Sequence, residues 1–345
     1  MTQHAGTSAK NDGTQEGDRG AGIRRTPRGR GPFALTVLVI LLLLPLLQVA
    51  YGTFNYVLHL TMYTLLYVTM ASSWNIIGGY AGYTSLGHNV FYAVGAYFSG
   101  TLFAYLGISP LLTFPLAGIL ATLIGLLVGL ISMRTRGPTF IIASIAMVML
   151  VLQLLRQWDF VGGTNGISLP FIPLDPSVAK LPFYYIIVAL AAGSVILSYR
   201  IRHSKFGLGL RAISQDETKA ETAGIPTNKY KIAAFAISGF FVGMSGAVWG
   251  YYLTYLRPSI FLAITIASYM VLMSILGGRG TVLGPVMGAI IIIQVNEFFV
   301  SNFGGTALNI VFTGIVLILT LLFFPKGVVG SLKERGRLPG FLDWE

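Results

Sequence analysis

The stretch GGYAGYTSLGH, residues 78–88, lies between two long apolar runs, 54–77 and 88–107. It holds four glycines together with tyrosine, hydroxyl and histidine side chains, and it carries no formal charge. Irregular backbone at membrane depth is tolerated only where protein or a water-filled path covers it. The stretch therefore predicts a break between two membrane helices, and its surroundings decide what the break is for.

The composition sets the class of protein. Of 345 residues, 54% are hydrophobic and 10% are charged, whereas soluble domains carry roughly 25% charged residues. Apolar runs of about 17–25 residues are typical of membrane helices. We therefore expect an all-α, polytopic membrane protein with about ten hydrophobic segments. The runs are 33–52, 54–77, 88–107, 110–132, 139–157, 182–200, 230–253, 260–277, 282–300 and 307–324.

The basic residues predict the orientation of these segments. With the N-terminus in the cytoplasm, only three of the 23 Lys and Arg residues, namely Arg156, Lys180 and Arg257, fall outside. Such a bias follows the positive-inside rule and predicts that both termini are cytoplasmic. The net charge of +11 is then a property of topology, and we expect no nucleic-acid partner.

The chain divides into three predicted regions. Residues 1–31 are polar and basic without periodicity, which predicts a disordered cytoplasmic tail. Residues 32–330 form the predicted transmembrane domain, with a cytoplasmic loop at 200–230, and 331–345 form a predicted C-terminal cytoplasmic tail. Arg24 and Arg25 resemble the start of a secretion signal, but the first run is long for a signal core, so we expect an uncleaved helix.

The apolar runs exclude several function classes. No Asp, Glu, Lys or Arg lies at the centre of a run, which argues against ion-driven transport and proton relays. The sequence has no cysteine, H-E-x-x-H, G-x-S-x-G or G-x-x-x-x-G-K-[ST] motif, so we expect neither an enzyme nor a metal site. His59 and His88 are isolated, and we expect each to be a packed hydrogen-bond partner. Any ATP hydrolysis must be done by a separate subunit.

The connection between the sixth and seventh runs contains its own helix signals. Ser214 and Glu217 have the spacing of a capping box, and Gly224 followed by Pro226 is typical of a helix end. These signals predict a short helix over Gln215–Ala223. Because so short a helix is marginal in water, it is either part of a solvated connector or a docking element for a cytoplasmic partner.

Several stretches together resemble one family, the inner-membrane permeases of branched-chain amino-acid ABC importers. The resemblance covers about residues 72–330, in the order of that family. It is carried by SWNIIGGYAGYTSLGHNVFYAVGAY (73–97), GGTNGI (162–167), GLGLRAISQDETKAETAGI (207–225), YKIAAFAISGFFVGMSGAVWGYY (230–252), LGGRGTVLGPVMGA (276–289) and FFPKGVVG (323–330).

The resemblance implies partners and a coupling helix. It implies a second homologous permease subunit, two ATP-binding subunits that use ATP and Mg, and an external solute-binding protein, with no cofactor bound to this chain itself. A short cytoplasmic helix of each permease would then fit a groove of an ATPase. The residues implied in that helix and beside it are Arg211, Asp216, Glu217, Ala220, Glu221, Ala223, Gly224 and Ile225. Thr222 departs from the alanine common in the family, and we expect this change to be tolerated on a solvent-facing turn.

Two interpretations of the opening stretch stay open. It borders the translocation path, or it is a tight cytoplasmic turn without solute contact. The candidate path residues are Gly78, Gly79, Tyr80, Gly82, Ser85, Gly87 and His88.

The solute is open as well. We expect branched-chain or other hydrophobic amino acids, while the same architecture could import urea, short amides or other small carboxylates. A sugar permease of related fold, an intramembrane enzyme and a purely structural scaffold fit the sequence less well.

Overall fold

The computed structural model describes residues 30–51, 55–132, 135, 137–170 and 179–304, with short pieces between 311 and 335 and Trp344. The described chain is dominated by helices, which confirms the all-α prediction. The helices are α1 (Arg30–Tyr51), α2 (Asn55–Asn75), α3 (Asn89–Leu106), α4 (Pro110–Ser132), α5 (Pro138–Gln157), α6 (Leu181–Arg202), α7 (Lys205–Gln215), α8 (Glu217–Thr222), α9 (Thr227–Leu253), α10 (Pro258–Phe261), α11 (Ile264–Gly278), α12 (Gly284–Phe303) and α13 (Gly327–Glu334).

The apolar runs of the sequence coincide with these helices, except for 307–324, which lies largely outside the described residues. Within the described residues, 6 helices are long and apolar enough to cross a membrane. They are α4, α5, α6, α9, α12 and the segment Pro258–Gly278 that contains α10 and α11. Ten crossings and cytoplasmic termini stay predictions. Residues 1–29 of the tail expected at 1–31 lie outside the described residues, whereas α1 begins at Arg30. Helix α13 crosses the boundary expected at 330.

Helix α2 lies at the centre of the bundle. Every residue from Leu66 to Asn75 is buried, and α2 packs against α6, α9, α11 and α12. By contrast, α4 exposes large aliphatic side chains such as Leu112 (65%) and Leu127 (64%). Because a central helix contacts other helices rather than lipid, it can carry the Tyr, Thr and Ser residues that a lipid-facing helix cannot.

Glycines let the central helices approach closely. A Cβ at Gly246 of α9 would collide with the carbonyl of Tyr92 in α3, and one at Gly243 would meet Ala121 of α4. Small residues at helix contacts are typical of membrane bundles, where lipid provides no hydrophobic drive for association. Helix α9 is thereby packed tightly between α3 and α4.

A two-stranded antiparallel pair joins the chain after α5 to the end of α9. Strand β1 (Ile167–Ser168) pairs with β2 (Tyr255–Leu256), with Ile167 opposite Leu256. The strands lie at the ends of α5 and α9 that the charge pattern places outside. They are therefore on the opposite side from the loop that holds α7 and α8.

Candidate functional site

The 78–88 stretch is a broken connection between α2 and α3. Helix α2 passes into a π-helical turn over Ile76–Tyr80, and the chain is irregular from there until α3 begins at Asn89. Gly82 has a φ of 83°, a left-handed conformation that glycine adopts without steric cost. The predicted break is therefore present, at the ends of α2 and α3 that the charge pattern places in the cytoplasm.

Side chains from other elements satisfy the backbone of this segment. Arg279 donates from Nε to the carbonyl of Gly78 and from a terminal nitrogen to that of Gly82, both at 2.7 Å. The indole of Trp74 donates to the carbonyl of Ser85 at 2.7 Å. The carbonyls of this irregular backbone are therefore satisfied by side chains of the protein.

The candidate path residues are mostly enclosed. Ser85 and His88 are both 0% exposed. Tyr80 hydrogen-bonds the Ser198 hydroxyl at 2.7 Å, and His88 Nε2 lies 2.9 Å from the Ser238 hydroxyl. His88 is thus a packed hydrogen-bond partner, as expected. His59 is one as well, because its Nδ1 lies 2.8 Å from the Tyr252 hydroxyl.

The glycines of the segment serve close packing. A Cβ at Gly78 would overlap the Trp74 ring, and one at Gly79 would overlap the Asn75 amide. A Cβ at Gly82 would lie 2.8 Å from the Ser214 hydroxyl of α7. The segment therefore rests directly on α7.

The capping box predicted at Ser214 is wrong. Ser214 lies in the last turn of α7, which begins after Ser204, whose hydroxyl accepts from the amide of Gly207. Asp216 is the actual N-cap: its carboxylate accepts from the Lys219 amide at 3.0 Å, and this bond holds the pKa of Asp216 below its ordinary value. The helix that was predicted over Gln215–Ala223 is the six-residue helix α8, Glu217–Thr222.

The end of α8 follows the sequence signals. Gly224 has a φ of 86°, and Pro226 directly precedes α9. Ala220 is the buried residue of α8, and Thr227 donates to the Glu221 carboxylate at 2.7 Å. Thr222 is exposed, as expected for a solvent-facing turn.

One buried ion pair connects α8 to the rest of the bundle. Lys231 of α9 lies 2.6 Å from Glu217, and the side chains are 1% and 12% exposed. The Tyr83 hydroxyl donates to the other oxygen of the same carboxylate, and the Lys231 ammonium lies 5.0 Å from the centre of the Tyr83 ring. We call these three residues the inner junction. It joins the 78–88 segment, α8 and α9 through one carboxylate.

Sequence reasoning did not find Tyr83 and Lys231 as members of this site. Lys231 was counted only as one of the charges that set topology. Its position at the beginning of an apolar helix was the available signal, because a charge that enters such a helix is buried only with a partner.

A cavity of about 360 Å³ adjoins the inner junction. It lies between the 81–84 part of the broken segment, the start of α5 and the end of α7. Its lining residues are Ala81, Gly82, Tyr83, Thr84, Gly137, Pro138, Ile141, Ile213, Ser214 and Glu217. Among the described residues, no group of three or more His, Cys, Asp or Glu side chains could hold a metal ion.

The bundle and the inner junction define the class of protein. It is a multi-pass membrane protein with a short helix, α8, that is anchored to the bundle on the side that the charge pattern places in the cytoplasm. A family model described as "Branched-chain amino acid transport system / permease component" matches residues 56–321. The chain belongs to this family of transport permeases, so it is an inner-membrane permease and not an enzyme.

Individual relatives agree with this assignment. The high-affinity branched-chain amino acid transport system permease protein LivM of Escherichia coli is 24% identical, over 80% of this chain and 70% of that protein. The probable permease LivH of Methanocaldococcus jannaschii is 26% identical, over 71% of this chain and 82% of that protein. The high-affinity permease protein LivH of Salmonella typhimurium is 24% identical, over 76% of this chain and 91% of that protein. No solved structure matches the chain.

Proposed function

We propose that the chain is the permease subunit of an ATP-binding-cassette importer. Its solutes are branched-chain or other hydrophobic amino acids, delivered by an external solute-binding protein. Family membership supports the transport role, and the relatives' names support the solute class. The sequence lacks a phosphate-binding loop, so two partner subunits use the ATP and Mg.

A second, homologous permease completes the proposed path. The relatives of this chain include LivM and LivH of Escherichia coli, two different permease proteins of one organism. Similarity to both supports an assembly in which two related permeases face each other.

The observation that carries the proposal is the exposed, anchored helix α8. Its outer side is accessible, since Thr218, Lys219, Glu221 and Thr222 are all exposed. Its inner side is fixed by Ala220 and by the inner junction. A surface of this kind can be held by a partner without losing its connection to the bundle. The residues proposed to couple to the ATPase are Arg211, Asp216, Glu217, Ala220, Glu221, Ala223, Gly224 and Ile225.

The proposed mechanism is alternating access driven through Glu217. ATP binding closes the two ATPases, and the groove that holds α8 shifts this helix. Because Glu217 is bonded to both Tyr83 and Lys231, the shift reaches the 78–88 segment and the first turn of α9. Arg211 adds a tie from α7 to the end of α6, where it donates to the Arg202 carbonyl at 3.4 Å.

In this mechanism the 78–88 segment borders the cytoplasmic end of the path. It has polar groups without charge, and it packs against α7 at Ser214. A solute leaving toward the cytoplasm would pass beside Ser85 and His88 when the segment moves.

The solute class is tested with the complete complex in proteoliposomes that contain its binding protein. We expect ATP-dependent uptake of leucine, isoleucine and valine that excess urea or acetamide does not inhibit. Uptake of urea or an amide, with the aliphatic amino acids neither imported nor retained by the binding protein, would contradict the proposed solute.

The docking role of α8 has its own test. Glu217→Lys places two cations in the inner junction and should reduce the amount of ATPase that co-purifies with the permease. Lys205→Glu, a charge reversal at an exposed position at the start of α7, is the matched control. Full co-purification of the ATPase with Glu217→Lys would refute the assignment.

A further inference from the structure

A continuous series of aromatic rings runs along one face of α2 and continues onto α9 and α11. We call it the aromatic ladder. Its members are His59, Tyr63, Tyr67, Trp249, Tyr252 and Tyr269.

Each ring of the ladder contacts the next. From the outer end, the ring centres of His59 and Tyr252 are 5.8 Å apart, and those of Tyr252 and Trp249 are 4.9 Å apart. Trp249 is 5.6 Å from Tyr63, which is 5.0 Å from Tyr67. Tyr67 lies 5.9 Å from Tyr269 of α11. The α2 members recur every four residues, so they share one face of that helix.

The ladder extends too deep to be only an interfacial belt. The charge pattern places the beginning of α2 and the end of α9 outside, which puts His59 and Tyr252 near the outer surface. Tyr67 is about 18 Å further along the axis than Asn55, at 1.5 Å per residue. Tyrosine and tryptophan that anchor a helix at the membrane surface lie at headgroup level, so Tyr67 needs another explanation.

The ladder is partly open, unlike the packed aromatic cluster at the cytoplasmic end. Tyr63 and Tyr269 are half-buried, although α2 is surrounded by α6, α9, α11 and α12. Part of each of these two rings therefore stays accessible on this side of α2. In the packed cluster, Phe91, Phe140 and Phe235 are 0%, 1% and 1% exposed and have no polar atoms in their side chains.

The rings of the ladder are polar but carry no formal charge, and Glu297 of α12 accepts a hydrogen bond from Tyr56 at the outer end of α2. Helices α2 and α11 contain no Asp, Glu, Lys or Arg, and Lys229 and Lys231 of α9 lie at its opposite end. Ring faces attract an ammonium group, phenol hydroxyls can donate to a carboxylate, and ring edges contact an aliphatic side chain. Each contact is weak, which suits a solute that must also leave.

A second, independent observation continues this lining inward. The Ser245 hydroxyl, one helical turn before Trp249, is buried and has no hydrogen-bond partner among the described residues. A buried polar group without a partner needs an explanation such as an unplaced water or ligand. A hydroxyl on the same face as Trp249 can serve a solute that moves along α9.

We propose that the aromatic ladder is the solute-binding surface of the outer half of the path. It selects zwitterions with an aliphatic side chain over urea and short amides, because only the former use ring faces, hydroxyls and ring edges together. The inference rests on the proposed function and names the residues that would give it specificity.

The test uses the complete complex in proteoliposomes with its binding protein. Tyr63→Leu and Trp249→Leu remove a ring, Tyr63→Phe removes only a hydroxyl, and Tyr105→Leu is the matched control. Tyr105 is 55% exposed at the end of α3 and stacks on Phe160, outside the ladder. We expect Tyr63→Leu and Trp249→Leu to lower leucine uptake at a subsaturating concentration about tenfold, and Tyr63→Phe to lower it less, since the ring face is kept.

The outcomes separate this inference from the proposed function. Leucine uptake by Tyr63→Leu equal to that of Tyr105→Leu would overturn the ladder, and the rings would then be structural anchors. If wild-type complex imports no amino acid, the proposed function itself fails. If Trp249→Leu does not assemble, Tyr63→Leu decides the outcome, because Tyr63 is less buried than Trp249.

Discussion

The inner junction and the aromatic ladder lie toward opposite ends of the same helices and differ in chemistry. The inner junction is a nearly buried carboxylate bonded to an ammonium and a phenol, with Lys231 and Glu217 2.6 Å apart. The ladder consists of rings 4.9–5.9 Å apart without a formal charge on its own helices at that depth. Both contain tyrosine, but only in the inner junction does the tyrosine hydroxyl donate to a charged group, the Glu217 carboxylate.

The difference corresponds to two tasks. A group that transmits a displacement must hold its partners firmly, and charge-assisted hydrogen bonds are short and strong. A surface that passes a solute must bind weakly enough to release it. In the proposed function, the cytoplasmic end receives the ATPase movement and the outer end receives the solute. The following substitutions test that division, beginning with the largest expected effect.

Lys231→Met should have the largest effect. It leaves Glu217 nearly buried without its cation, and removing one partner of a buried ion pair costs about 3–5 kcal/mol. We expect a lower melting temperature of the purified permease and loss of ATP-driven uptake. The double variant Lys231→Met, Glu217→Gln removes both charges and should recover much of the melting temperature. A single variant as stable as wild type would show that the pair does not hold α8.

Gly82→Val should strongly reduce uptake. The residue has a φ of 83°, and a side chain in the left-handed region costs roughly 1–2 kcal/mol. The added methyl groups would also press on Ser214 of α7. We expect the complex to assemble while ATP-dependent uptake falls several-fold. Gly82→Ala, which adds only a Cβ, is the milder comparison. Wild-type uptake by Gly82→Val would count against a role of the segment at the path.

Gly224→Val should have a smaller effect that is confined to docking. Its φ of 86° resembles that of Gly82, but no atom lies within 4 Å of an added Cβ. The cost is therefore backbone strain alone, roughly 1–2 kcal/mol. We expect less ATPase to co-purify, and Gly224→Asn to behave nearly as wild type because asparagine tolerates this conformation. Equal losses for Val and Asn would indicate that strain is not the cause.

Thr222→Ala should have the smallest effect. The side chain is exposed and its hydroxyl bonds only the Lys219 carbonyl of its own turn. Surface substitutions of this kind change stability by about 0.5 kcal/mol or less. Uptake and ATPase co-purification should both stay near the wild-type level, because the loss of one hydroxyl leaves the rest of the outer side of α8 intact. A large loss of either would mean that the Thr222 hydroxyl itself bonds the partner.

Local patterns predicted the helices well and the inner junction poorly. The apolar runs coincide with the described helices, and Gly224 and Pro226 mark the end of α8 as expected. These features depend on neighbours in sequence. The pair of Tyr83 and Lys231, 148 residues apart, depends on three-dimensional packing, and no spacing rule reveals it.

The missed helix α7 shows the same limit. Gly207 and Gly209 made that stretch a poor helix by propensity, since glycine costs roughly 1 kcal/mol relative to alanine. In the structure, a Cβ at Gly207 would collide with the Ile201 carbonyl, and one at Gly209 would overlap the Tyr230 ring. Close packing therefore requires glycine at both positions, although glycine lowers the helix propensity of this stretch. Without α7, the Ser214 signal was assigned to α8, which begins at Glu217 with Asp216 as its N-cap.

In the proposed function, this chain is an uncharged path that is moved from the cytoplasm through α8. The most direct measurement is leucine flux into proteoliposomes that hold the permease pair and binding protein, with and without the ATP-binding subunits. We expect uptake only when those subunits and ATP are both present. Sustained uptake by the permeases alone would contradict it.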